Sequence, residues 1–468
     1  MDLYLYNSQS RKKELFTPID PPEVKLYTCG ITAYDYAHIG HGRKYVMDDI
    51  LRRTLTFNGF KVNHVQNVTD VGHLVSDADS GEDKLEKGAK KQGKTVWEVA
   101  EFFTKDFYDS MDKLNVIHPT TICKATDHIK EQIELIEKLF ERGYAYDTTE
   151  AVYFNTSKFE GYGEMFGQKL EDKKVAVREE VRKDENKRNP ADFALWFKRV
   201  GNFKDHVMHW ESPWRDGFPG WHIECSAMSM KYLGEQIDIH TGGEDHLSIH
   251  HPNEIAQSEG ATGKKPFSRF WMHHAFLTVD GTKMSKSLGN FYTVHNIIEK
   301  GIDPIALRFL YLGAHYKKPM NFTWEALIAS ETGLNNLRST IASLKDSERT
   351  ILSGEKEEKL NDFRNRFNEA INDDLNTPKG LAILQEVLRS NIPSGDKYDL
   401  AILFDEVLGL GLKDLRKLED QKPIPEEVQK LMDERNDLRK LGKYDEADKV
   451  RDKIVSFGYK VNDTSIKK

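Results

Sequence analysis

Apolar residues recur along this chain at spacings that change from one segment to the next, and the changes divide it. Val24 to Tyr27 alternates apolar and polar positions as a short strand does, while Gly42 to Phe57 carries Val46, Ile50 and, beside them, Met47, Leu51 and Leu55 at helical spacing. Lys61 to Val68 reads as a second strand, ending in Asn67-Val68-Thr69-Asp70. The opening of the chain is therefore a β-α-β unit. Further on, Ile129, Ile133, Ile136 and Phe140 form one apolar helix face with Gly143 placed to end it, and Ala151 to Phe154 suits a strand. Gln168 to Asn189 is dense in Lys, Glu and Arg with few apolar anchors, the pattern of a solvated loop.

From about Ser287 the period becomes helical. Leu327, Leu334, Leu337 and Ile341 share a face, with Thr323 as N-cap, and Phe363, Phe367 and Ile371 mark a second helix that stops at Asn372-Asp373-Asp374. Thr377-Pro378 reads as N-cap and first-turn proline of a third, with Leu381, Leu384 and Leu388 inward. Lys417 to Pro425 is a linker, and the last segment mixes Arg435, Arg439, Lys440 and Lys443 with acidic residues. The fold class is α/β: a Rossmann-like parallel sheet with an inserted segment, followed by an all-α bundle and a small C-terminal module.

Composition narrows this picture only at its edges. A chain of 468 residues with 31% charged residues and a mean hydropathy of -0.64 has enough length for several domains. No apolar run is long enough to cross a bilayer, and Met1 to Lys13 lacks the apolar core of a signal peptide, so a cytoplasmic protein with no membrane partner is expected. Three cysteines, Cys29, Cys123 and Cys225, are too few and too scattered for a disulfide framework. The net charge of -8 argues mildly against nonspecific polyanion binding, although a local basic surface would suffice for one RNA.

Two short stretches carry the candidate chemistry. His38-Ile39-Gly40-His41 falls between the first strand and the first helix, where unpaired N–H groups and the helix dipole favour phosphate, and Gly40 leaves the backbone open to a flat base. Lys283-Met284-Ser285-Lys286-Ser287 follows Asp280-Gly281-Thr282 and precedes Gly289-Asn290, a glycine-flanked loop whose lysines could fold over a triphosphate. Taken singly, the first is also a turn with surface histidines and the second a solvated basic loop. Between them, Asp238-Ile239-His240-Thr241-Gly242-Gly243-Glu244-Asp245 reads as a strand end running into a glycine turn, where Asp245 could hold ribose hydroxyls or the turn could be plain.

Cys29, Cys225, His250 and Glu254 form a third constellation. His250 and Glu254 are one helical turn apart, Pro252 is tolerable only in a helix's first turn, and two thiolates, an imidazole and a carboxylate suit zinc. Taken alone, two cysteines so far apart read more readily as core positions, and it is their place on the sheet that favours the metal.

Together and in this order, the two short stretches match letter for letter the HIGH and KMSKS signatures of class I aminoacyl-tRNA synthetases. With Tyr27-Thr28-Cys29-Gly30, Gly220 to Met228, His250 to Ser258, Asp374 to Pro378 and Ala447 to Asp452, nearly the whole chain resembles the cysteine-specific members of that class. The resemblance implies a domain plan: residues 1–120 and 212–275 as the two halves of the catalytic domain, 121–211 as the connective insertion, 276–325 as the KMSKS and stem-contact region, 326–417 as the helical bundle and 426–468 as an anticodon-binding module. It implies ATP-dependent activation of L-cysteine to cysteinyl adenylate and transfer to the 3′ end of tRNA(Cys). His38, His41, Lys283 and Lys286 would be catalytic, and these four with Gly40, Gly243, Asp245 and Ser285 would bind Mg-ATP. Cys29, Gly30, Thr69, Trp221 and His222 would line the cysteine pocket. One zinc per chain on Cys29, Cys225, His250 and Glu254 would select the substrate thiolate. Arg439, Tyr444, Asp448 and Asp463 would meet the tRNA, and a monomer is expected. The chain departs from the family pattern at Tyr444, where tryptophan is usual, at Val71-Gly72-His73, at Pro252, where glutamate is usual, and at Phe218, where arginine is usual. A noncatalytic tRNA-binding paralogue and a cysteine ligase acting on an amino sugar are the competing readings.

Overall fold

The computed structural model describes residues 2–72, 74–76, 80–83, 85–86, 89, 93–162, 166, 187–347, 353–413, 415 and 426–457. Five strands make the central sheet: β1 (Glu23–Thr32), β2 (Lys61–Thr69), β3 (Thr121–Lys124), β4 (Ile237–Gly243) and β5 (Ser268–His274). Their spatial order is β5-β4-β1-β2-β3 and every pairing is parallel. The chain moves outward from β1 to β3, then returns to the other side of β1 for β4. The carboxyl ends of β1 and β4 therefore flank the point where the winding reverses, and there open sheets of this kind leave a crevice.

Helices follow the strands as the parallel connections require. α1 (Ile39–Phe57) follows β1 and buries Val46, Met47, Ile50, Leu51 and Leu55, so the apolar spacing read from sequence is the packed face. α2 (Val96–Lys113), α3 (Ile129–Glu141), α4 (Trp221–Leu233) and α5 (His250–Thr262) complete the layers, with α3, α4 and α5 packed on one another. Between α3 and α4, strands Ala145–Asp147, Ala151–Phe154, Phe193–Lys198 and Gly217–Pro219 form an antiparallel sheet of their own, whose core includes Phe197 and Phe218. Phe218 stacks on His206 with ring centroids 3.8 Å apart. Most of the charged stretch 168–189 lies outside the described residues.

After β5 come a small three-stranded sheet (Leu277–Val279, Thr282–Lys283 and Met320–Phe322), α6 (Val294–Glu299) and α7 (Pro304–Leu312), then a bundle of α8 (Trp324–Leu344), α9 (Gly354–Asn372), α10 (Thr377–Arg389) and α11 (Ser394–Leu408). Thr323 caps α8 as its sequence position predicts. At α10 the expectation fails by one residue: Asn376 is the N-cap, accepting from Lys379 N, and Thr377 instead donates its hydroxyl to Leu312 O at 2.9 Å. The inward face of α10 is Gly380, Ile383, Leu384 and Val387, while Leu381 and Leu388 are half-buried.

Two polar joints bind the bundle to the sheet. Arg308 on α7 is fully buried, pairs with Asp49 of α1 at 2.6 Å, and donates to Leu114 O, Asn115 O and Leu408 O. Asp374 accepts from Tyr6 N (2.8 Å) and Tyr316 Oη (2.7 Å) and donates its own N–H to Tyr4 O, so the N-terminal strand Tyr4–Asn7 is tied to the end of α9. All of this lies in one compact unit, Met1–Asp414. A second unit, Leu415–Lys468, contains α12 (Glu426–Lys440) and α13 (Tyr444–Ser456) around Val428, Val450 and Ile454. Among the described residues, no helix is long and apolar enough to cross a membrane.

Candidate active site and metal centre

A cavity of about 680 Å³ opens at the reversal point of the sheet. Its floor is the end of β1, where the pairing to β2 shifts register between Thr28 and Ile31. Gly30 makes that bulge possible, because a Cβ there would lie 1.5 Å from Asn67 O; its N–H instead donates to Asn67 Oδ1 at 2.8 Å. The bulge turns Cys29 Sγ inward, and Lys44 Nζ (2.6 Å) and Tyr45 Oη (3.2 Å) hold its carbonyl.

The two histidines of the first motif cap α1 with their own rings. His38 is the N-cap: its Nδ1 accepts from His41 N at 3.1 Å, and His41 Nδ1 accepts from His38 N at 3.3 Å. The rings stack 3.7 Å apart, 10° from parallel. Burial lowers His38 to a pKa of about 4 and pushes His41 well below the ordinary imidazole range. Both rings are therefore neutral near pH 7, and with Nδ1 accepting, the proton resides on Nε2. Two neutral N–H donors result, fixed by the helix end itself.

The lysine loop crosses the same cavity. Lys283 ends the small hairpin, whose turn at Asp280-Gly281 has φ of 48° and 76°. Asn290 closes the loop by accepting from Ser285 N and donating to Lys283 O. Lys286 pairs with Asp35, on the segment leading to His38. Met284 lies against Gly40, where a Cβ would come 2.9 Å from Met284 Cε and 2.9 Å from the His38 ring. The space over Gly40 thus belongs to the loop and the imidazole as well as to any base. Gly243 and Asp245 line the opposite wall; Asp245 folds over Gly243, where a Cβ would meet its Oδ1 at 2.2 Å.

Beneath these groups, one donor atom each from Cys29, Cys225, His250 and Glu254 lies within 4.8 Å of all the others, and all four residues are buried. His250 Nδ1 is engaged by His222 Nδ1 at 2.8 Å, whereas its Nε2 is buried without a hydrogen bond, 2.9 Å from Glu254 Oε1. An inward nitrogen with no hydrogen bond, beside two sulfurs and a carboxylate, fits a tetrahedral zinc ion. The charges agree. Burial raises the Cys29 thiol, but the bond from Cys225 and nearby His240 hold it well below the usual range, while the same bond and burial push Cys225 up. Burial works against protonating His250, yet Glu254 and Cys29 raise it to about 10.

Thr69 and Trp221 border the metal cluster: Thr69 donates to Glu224 Oε2 at 3.1 Å, and the Trp221 ring lies 4.3 Å from that of His250. Cys29, Gly30, Thr69, Trp221 and His222 all line the cavity together with His38, Gly40, His41, Gly243, Asp245, Lys283, Ser285 and Lys286. Three functional neighbours escaped the sequence reading. His240 Nε2 bonds Glu254 Oε2 at 2.9 Å, and His251 Nε2 sits 3.4 Å from Cys29 Sγ while its Nδ1 meets His273 Nε2 at 2.8 Å. The available signal was density: His222, His240, His246, His250, His251, His273 and His274 belong to one short stretch of a chain holding 17 histidines.

In the C-terminal unit, Arg439 lies 6.0 Å over the Tyr444 ring, which is 61% exposed, and Asp448 pairs with Arg451 at 2.9 Å one turn along α13. Asp463 lies outside the described residues.

Residues 15–332 match the family described as tRNA synthetases class I (C) catalytic domain, and residues 366–390 match the DALR domain. The cysteine–tRNA ligase of Treponema denticola is 44% identical, covering 99% of this chain and 98% of that one. Cysteine–tRNA ligase 1 of Burkholderia lata is 45% identical over 99% and 96%, and the Thermus thermophilus cysteine–tRNA ligase 40% over 99% and 98%. A solved Mycobacterium tuberculosis methionyl-tRNA synthetase, bound to methionyl-adenylate, shares the fold with a TM-score of 0.56 at 14% identity, over 83% of this chain and 90% of that one.

Proposed function

We infer the chemistry of this site from the family to which the chain belongs, the cysteine–tRNA ligases, class I synthetases that use ATP to join cysteine to tRNA. The cysteine carboxylate attacks the α-phosphorus of ATP, pyrophosphate leaves, and a ribose hydroxyl at the 3′ end of tRNA then attacks the carbonyl of cysteinyl adenylate. No covalent bond to the protein is required, because positioning and charge stabilisation carry both steps.

His38 and His41 offer neutral Nε2–H donors to the phosphoryl oxygens, a role supported by the caps that fix both tautomers. Lys283 and Lys286 neutralise the departing pyrophosphate, and Lys286 does so by exchanging Asp35 for phosphate oxygens. Gly40, Ser285, Gly243 and Asp245 complete the ATP site, with Asp245 toward the ribose, and magnesium enters with ATP. Cys29, Gly30, Thr69, Trp221 and His222 enclose the amino acid. Cys29, Cys225, His250 and Glu254 would hold a zinc ion, which would supply a Lewis acid that favours a thiolate far more than an alkoxide. Serine is thus refused at activation, where an apolar pocket could not refuse it.

Residues 1–120 and 212–275 make the catalytic domain, 121–211 its insertion, 276–325 the lysine loop with its stem contacts, 326–417 the bundle, and 426–468 a module that reads tRNA(Cys) with Arg439, Tyr444, Asp448 and Asp463. The enzyme acts as a cytoplasmic monomer.

The observation that carries this reading is the meeting, in one cavity, of a two-sulfur donor set with the capped histidines and the lysine loop. Charging of total tRNA with labelled cysteine beside labelled serine, with ATP and zinc present, tests it. Cysteine alone should be attached. Cysteine-dependent ATP–pyrophosphate exchange without charging would move the acceptor from tRNA to an amine such as an amino sugar, and no exchange would leave a noncatalytic RNA binder.

A further inference from the structure

Arg43 lies one turn beyond the capped histidines, is 2% exposed, and is not among the residues lining the cavity. Its guanidinium ion-pairs with no carboxylate among the described residues. Instead it donates to four backbone carbonyls: Ala275 O (2.9 Å) and Phe276 O (3.1 Å) from one terminal nitrogen, His315 O (3.1 Å) and Lys318 O (2.6 Å) from the other. Burial lowers its pKa, against the pull of Tyr311 and Glu244.

What those carbonyls belong to gives the arrangement its meaning. Ala275 and Phe276 lead directly into Leu277–Val279, and His315 to Lys318 lead into Met320–Phe322. These two strands pair in parallel, and the first also pairs with Thr282–Lys283. Arg43 therefore grips the roots of both strands that support Lys283. The far end of the lysine loop returns to the same helix, where Ile39 N donates to Tyr292 O at 2.8 Å. His274, at the end of β5, is held to α1 as well, through Asp48 at 2.8 Å.

We propose that Arg43 is a positioning residue for adenylate formation, clamping the roots of the lysine hairpin to α1 so that Lys283 and Lys286 face His38 and His41 across the triphosphate. The proposal rests on the reading that these lysines meet the leaving pyrophosphate. The planar fork is essential to it. A lysine at this position keeps the charge but offers one compact ammonium to acceptors on two separate segments, and cannot span them.

Cysteine-dependent ATP–pyrophosphate exchange by the full-length, zinc-loaded enzyme tests the assignment, with rates counted per folded molecule from the amplitude of the melting transition. Arg43→Lys should lower kcat at least tenfold while the KM for cysteine stays within twofold, since Arg43 bonds to none of Cys29, Gly30, Thr69, Trp221 and His222. In a Lys283→Ala/Lys286→Ala background Arg43→Lys should cost no further rate, because the arginine acts through these two lysines. Additive losses, an unchanged kcat, or a raised KM for cysteine with kcat intact would overturn the proposal. If Arg43→Lys does not fold, Arg43→Gln is read by the same criteria, and failure of both to fold would make Arg43 a folding residue and overturn it too. Full activity in Lys283→Ala by itself would instead refute the reading of the lysine loop, which keeps the two failures apart.

Discussion

His64 sits on β2 with 4% of its surface exposed, its Nε2 2.9 Å from Thr28 Oγ1 on the neighbouring strand. Burial first, and Arg52 after it, lower its pKa to about 3, so the folded chain refuses a proton that the unfolded chain accepts near pH 6.5. The unfolded state therefore binds more protons between those values, and stability is lost as pH falls through 6.5 toward 3. Between pH 7.5 and 5.5 this one group should cost the fold about 1.4 kcal/mol. Urea denaturation at both values should show the wild type losing that much more than His64→Gln; equal losses would mean that His64 is charged in the native state. His38 and His41 are depressed in the same direction, also by burial, which keeps both rings uncharged near pH 7. That His38, His41, Lys283 and Lys286 line one cavity was legible in short contiguous strings. The meeting of His240, His251 and His273 was not, because three separate elements bring them to Cys29 and Glu254 and no local spacing announces it.

At the scale of elements, α1 does most of the organising. Its N-terminus carries the motif histidines, its middle holds Arg43 and Asp48, and Asp49 receives Arg308 from α7, Arg53 from its own next turn and Ile117 N from the loop after α2. Arg308→Met would leave Asp49 to Arg53 and Ile117 N, take the side-chain donor from Leu114 O and Leu408 O, and should destabilise the first unit by about 2–5 kcal/mol. Chemical denaturation would check it, and a loss below 1 kcal/mol would show the joint to be dispensable. The sequence exposes α1 because only one of its faces is apolar. α5 shows no such period, since nearly every residue from His250 to Ala261 is buried, and a helix enclosed on all sides mixes polar ligands with core. The error at α10 has a different origin: Thr377 and Asn376 can both cap, and the choice was made by Leu312 O, a tertiary acceptor invisible to local reasoning.

At the scale of the molecule, every residue of the cavity belongs to the first unit, and Arg439, Tyr444 and Asp448 to the second. Removing residues 415–468 should leave cysteine-dependent ATP–pyrophosphate exchange within twofold of the intact enzyme and reduce kcat/KM for tRNA charging at least tenfold. Loss of exchange would show that the second unit supports the site directly. Within the first unit, parts far apart in the chain meet: Tyr4 and Tyr6 are completed as a strand edge by Asp374. During synthesis at roughly 5–20 residues per second, that partner emerges about 20–70 s after the strand that needs it. Until then Tyr4–Asn7 pairs with its hairpin partner Lys12–Leu15 and, once β5 is made, with Arg269 and Trp271 through Asn7. A chain that ends before residue 374 therefore leaves Tyr4 and Tyr6 without the partner that closes their edge, however well the sheet behind them has formed.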